Sequence, residues 1–167
     1  MSRALILCAI LSVTAGCATP SQMAVDAEVE RLCAIDGGIK VYETVKRPAS
    51  EFDSDGVLKA YQHRTDTTVS YKQDTSHTVM ESSFERGFII RWEIQTYIGD
   101  ILGPESGFFS AKRHVFQVKR RADNALLGEA VIYSRRGGDI PGPWHPSSYR
   151  CPTTAGDIEL IRKVFVK

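Results

Sequence analysis

Apolar positions recur at two different periods along this chain, and the change of period separates a helical front from a sheet-forming remainder. Between residues 21 and 35, Val25, Val29, Leu32 and Cys33 recur at helical spacing, while Asp26, Glu28, Glu30 and Arg31 fill the rest of the wheel. Ser21, just after Pro20, is the predicted N-cap, and Gly37-Gly38 ends the helix with one glycine left-handed. From Ile39 the period drops to two. Ile39, Val41 and Val45 alternate with Lys40, Tyr42 and Thr44 until Pro48, and residues 49–57 read as a loop. Residues 57–73, with Val69 and Tyr71 amid Thr, Ser and Gln, predict an exposed edge strand.

The clearest strand is 88–98. Phe88, Ile90, Trp92, Ile94 and Ile98 share one face, and Arg91, Glu93, Gln95 and Tyr97 the other, as in a sheet with one face on a core. Residues 99–107 are a connection. Residues 108–120 and 126–135 form a predicted hairpin around Ala122-Asp123-Asn124-Ala125. Residues 137–146 are a Pro- and Gly-rich loop, and 157–163 is either a short helix or the start of a final strand through Val164-Phe165-Val166. Consecutive strands on short turns imply an antiparallel sheet, with the N-terminal helix on one face. The fold class is α+β.

One apolar run fits neither period. Arg3 precedes Ala4 to Val13, and the small residues Thr14, Ala15 and Gly16 lead into Cys17. The run is about ten residues, short of the ~20 that span a bilayer, and has the layout of an export signal. Residues 1–17 resemble the lipobox of bacterial lipoprotein precursors, with Thr14 standing where Leu is more usual. The resemblance implies that residues 1–16 are removed and that the Cys17 thiol carries a diacylglycerol. Residues 17–21 would then be a lipidated tether and 22–167 a single domain. It also implies a lipid bilayer as partner and a place in the cell envelope. Ala18 lacks the Asp of an inner-membrane retention signal, which favours the outer membrane facing the periplasm. The alternatives are an ordinary cysteine beside a conventional cleavage site and a chance cysteine in a cytosolic protein.

Composition narrows the rest. Without residues 1–16 the chain keeps about 150 residues, enough for one domain with a real core. That cut removes Arg3 alone among the charges, so basic and acidic residues balance and nothing points to nucleic acid. On the lipobox reading Cys8 leaves with the signal and Cys17 is acylated. Cys33 and Cys151 remain, and in an oxidising compartment an isolated pair is most simply a disulfide. A reactive or metal-bound thiol is the alternative, but no Cys-x-x-Cys is present and neither cysteine has a histidine at ligand spacing.

Chemistry-bearing motifs are absent. His63, His77, His114 and His145 do not fall at i+2 or i+4 of one another, so a metal site would have to assemble from distant residues. No Gly-x-Ser-x-Gly occurs, and Asp53-Ser54-Asp55-Gly56 lacks the later Glu of a calcium loop. No catalytic residue, metal or cofactor is assigned. The candidate binding residues are Trp144 and Tyr149, in a loop stiffened by Pro141, Pro143 and Pro146 and braced by Cys151. Their other reading is packing that seals the end of the sheet.

Cys33-Ala-Ile-Asp-Gly-Gly-Ile-Lys-Val-Tyr-Glu and the stretch from Trp144 through Ser147-Ser-Tyr-Arg-Cys151-Pro resemble small uncharacterised lipoproteins of Gram-negative bacteria, over most of the mature chain. That group brings no activity with it. Three functional readings stand: a non-catalytic binding or scaffolding module for an envelope protein, an immunity or inhibitor lipoprotein, and a cell-envelope hydrolase.

Overall fold

A computed structural model describes residues 19–62, 72–73, 77–85, 87–96, 110–137 and 147–167. The signal run with Cys17, the connection 97–109 and the loop segment 138–146 with Trp144 and His145 lie outside the described residues, as does His63. The fold is α+β: one N-terminal helix on a mainly antiparallel sheet, joined by a disulfide.

Helix α1 spans Pro20–Asp36. Its N-cap is Thr19 rather than Ser21. The Thr19 hydroxyl accepts from the Gln22 amide at 3.2 Å, and the Gln22 side chain returns the bond to the Thr19 amide at 2.7 Å. This capping box, with Pro20 as first helical residue, starts the helix ahead of the expected position. Of the stretch predicted as a tether, Pro20 and Ser21 belong to the helix and Thr19 caps it, while residues 17 and 18 lie outside the described residues. Beyond α1 the chain turns at Gly38, whose φ of 118° suits glycine.

The strands follow as β1 (Gly38–Val41), β2 (Val45–Lys46), β3 (Lys72–Gln73), β4 (His77–Phe84), β5 (Phe88–Thr96), β6 (Ser110–Arg120), β7 (Leu126–Arg136) and β8 (Ser148–Cys151). The single turn α2 (Lys59–Gln62) lies between β2 and β3; α3 (Asp157–Val164) and β9 (Phe165–Val166) close the chain. The main sheet runs β1-β7-β6-β5-β4-β3, and β8 pairs with the half of β7 that β1 leaves open. The predicted β6–β7 hairpin and β5 are present. Within the span expected as an edge strand, residues 59–62 are helical and only Lys72–Gln73 are strand among the described residues. Strands β4 and β8, in stretches with weak apolar alternation, extend the sheet on both sides.

Each face carries its own core. On one face Val25, Val29 and Cys33 of α1 pack on Ala111, Val115, Val131 and Tyr133. On the other, Leu160, Ile161, Val164 and Phe165 pack with Val118, Leu127 and Ala130, and with Phe52, Val57, Leu58, Tyr61 and Phe84. The α3 side admits a close approach because β7 carries Gly128 there. A Cβ at Gly128 would stand 2.8 Å from Val164 Cγ2 and 3.0 Å from Leu160 Cδ1. The register shift beside Val118 leaves Leu127 without a cross-strand partner, and its side chain fills the α3-side core. Phe84, Phe88 and Phe165 meet there with ring centroids 4.9–5.8 Å apart.

Candidate functional site

The α1 face is built from charge as much as from apolar contact. Period two along β7 puts Val131, Tyr133 and Arg135 beneath the helix. Arg135 is only 5% exposed, so its guanidinium must be satisfied by protein groups. It donates to Asp26 Oδ1 at 2.5 Å, to Ser147 Oγ at 3.0 Å and to the Gly137 carbonyl. Gln22 Nε2 reaches the same Ser147 hydroxyl at 3.1 Å. The first turns of α1 are thereby fastened to the corner where β7 leaves and β8 enters.

A second cluster fastens the far end of the helix. Asp36 accepts from Arg113 Nη2 at 2.7 Å and from the Tyr133 hydroxyl at 2.8 Å. Burial works against ionising Asp36, but the hydrogen bonds from Arg113 and Tyr133 outweigh it and hold the carboxyl below its ordinary range. Burial, reinforced by the Asp36 carboxylate, pushes the Tyr133 phenol up to about 12, so it remains a donor. A phenol held there is no base at neutral pH.

Cys33 and Cys151 form a disulfide with Cα atoms 5.9 Å apart, closing a separation of 118 residues between α1 and β8. Tyr149, two residues before Cys151, lies in β8 rather than on a loop tip. It is half-buried against the α1 core, and its hydroxyl donates to Glu30 Oε1 at 3.2 Å. It is thus part of the seam between helix and sheet edge. Trp144, its expected companion, lies outside the described residues.

The α3 face carries an aromatic stack beyond the helix. Trp92 stacks on Phe116 with centroids 5.5 Å apart and on His114 at 6.1 Å, the three side chains sharing one face of β5 and β6. The Trp92 Nε1 group is buried without an acceptor among the described residues. His114 Nε2 lies 3.1 Å from Ser134 Oγ. Burial, with Lys112 and Arg150 nearby, lowers the His114 pKa to about 4. A nucleophile's base works best near the operating pH and is oriented by a third group. His114 is far below that range, and among the described residues no carboxylate is paired with it. The described geometry therefore assigns His114 to packing against Trp92 and to its contact with Ser134.

Period two along β5 is enough to place Trp92 on the core side of its strand, and the stack on Phe116 agrees. Arg135 and Arg113 carry no such signal, because an arginine on an apolar face is legible only once the helix carboxylates that meet it are known. Among the described residues no group of three or more His, Cys, Asp or Glu side chains is placed to hold a metal ion, and no helix is long and apolar enough to cross a membrane. Comparison with protein-family models, with curated proteins and with solved structures finds no match.

Proposed function

We propose that this protein is an exported envelope lipoprotein, acylated at Cys17, whose domain acts as a non-catalytic binding or scaffolding module at the outer membrane. The observation that carries the reading is the Cys33–Cys151 disulfide. Disulfides persist in oxidising compartments, and this pairing leaves Cys17 as the unpaired cysteine of the exported chain. The lipobox-like run before Cys17 supplies the reason it is unpaired. The helix-side charges support a binding module over an enzyme. Arg135, Arg113, Asp36 and Tyr133 are spent on one another and on α1, which rigidifies the domain and leaves them unsuited to moving protons.

The test is metabolic labelling of wild type and Cys17→Ala with a fatty-acid probe, alongside flotation of membranes. Wild type should carry label and float, and the variant should do neither. Equal label on both would remove the lipoprotein reading.

A further inference from the structure

The early start of α1 leaves the domain no slack. Thr19 is the N-cap and stands two residues beyond Cys17, so their Cα atoms are at most about 7 Å apart. The headgroup layer of a leaflet is itself about 5–8 Å thick, the difference between a ~30 Å hydrocarbon core and a ~40–45 Å bilayer. An acylated Cys17 therefore sets the start of α1 at the depth of the headgroups or immediately above them. From that point the helix moves with the sheet as one body. Gln22 bonds Ser147, Asp26 bonds the buried Arg135, and Val25 is 1% exposed against the sheet.

We propose that the first turn of α1 and the adjoining end of β7 rest on the lipid surface, with Met23 among the headgroups and Arg136 facing lipid phosphate. The inference rests on Cys17 being acylated. Its second support is the character of the residues at this end. Met23, one turn into the helix, is an apolar side chain left 63% exposed. Arg136 ends β7 exposed, beside the Gly137 amide that donates to the Ser147 carbonyl at 2.9 Å. Partial burial of an apolar side chain and attraction of a cation to anionic lipid both add to the anchoring that the acyl chains supply, and both favour this end of the domain at the surface. The same helix supplies an internal control. Ile35 is 69% exposed but lies twelve residues further on, about 18 Å along the axis and away from the anchor.

The experiment uses the full-length acylated protein in vesicles of phosphatidylethanolamine and phosphatidylglycerol containing a headgroup spin-labelled lipid. Cys33 and Cys151 are bonded and Cys17 is capped, so Met23→Cys and Ile35→Cys each present one free thiol for a fluorophore. Both sites are exposed, so neither replacement removes a buried contact. Quenching should be several-fold stronger at position 23 than at 35. A flexible Gly-Ser insertion of about ten residues between Ala18 and Thr19 should abolish that difference while flotation persists. Equal quenching in acylated, floating protein would overturn the orientation and leave the lipoprotein reading standing. Absence of acylation, read by mass spectrometry of the N-terminal peptide, would overturn both.

Discussion

Helices α1 and α3 cover opposite faces of one sheet by different means. Helix α3 has eight residues, yet Leu160, Ile161 and Val164 are fully buried, and Gly128 lets them approach the strand backbone. Helix α1 has seventeen residues, but its buried side chains are Gln22, Val25, Val29 and Cys33 among those described. A narrow apolar stripe cannot hold a helix of that length alone. It is held instead by the capping box, by ion pairs at both ends and by a disulfide to β8. Close apolar packing secures a short helix; polar and covalent clips secure the long one.

The largest effect should come from removing the covalent clip. Replacing Cys33 and Cys151 together by Ser releases a 118-residue closure, which loop entropy values at about 4–5 kcal/mol. Urea unfolding of the double variant should show a loss of roughly that size. A loss near zero would mean the ion pairs hold α1 unaided. Next, Leu160→Ala opens a cavity in the α3-side core and should cost about 3 kcal/mol. The contrast between the helices would fail if it cost no more than truncating the exposed Ile158.

A smaller effect belongs to His114, whose folded pKa of about 4 lies below its ordinary 6.5. The unfolded chain takes up the proton first as pH falls, so this histidine's contribution is full above about 6.5 and is lost as pH drops toward 4. With its partial exposure discounted, the loss is on the order of 1–2 kcal/mol. Stability measured at several pH values for wild type and His114→Gln should show a slope across this window that the variant lacks. A parallel slope in both would assign the acid sensitivity elsewhere. The smallest effect is Tyr149→Phe, which removes one exposed hydrogen bond to Glu30 and should cost about 0.5 kcal/mol. Tyr149→Ala should cost several times more, because the ring packs into the seam. Equal, negligible costs would return Tyr149 to the role of a free contact residue.

These residues also show what can be seen in the sequence. Helix α1, strand β5 and the β6–β7 hairpin are legible because one apolar face is continuous in each. The disulfide follows from counting cysteines once residues 1–17 are read as an export signal. Strands β4 and β8 are hidden because their alternation is diluted by Ser, Thr, Glu and Arg, and their place in the sheet depends on neighbours set by the fold. The α3 cover is ambiguous between helix and strand, since eight residues can satisfy either pattern. Ser21 looks as good an N-cap as Thr19 until Gln22, three residues after Thr19, is read as the reciprocal capping signal.

Hydrogen exchange on the oxidised and reduced protein tests most directly that α1 is held by clips and α3 by packing. Losing the disulfide lowers global stability, so protection should fall at amides on both faces. In α1, between Val25 and Asp36, it should fall further, because the helix gains a route of local detachment that α3 lacks. Protection of α1 dropping well below that of Leu160, Ile161 and Val164 is the expected result. A uniform drop by the same factor in both helices would contradict it.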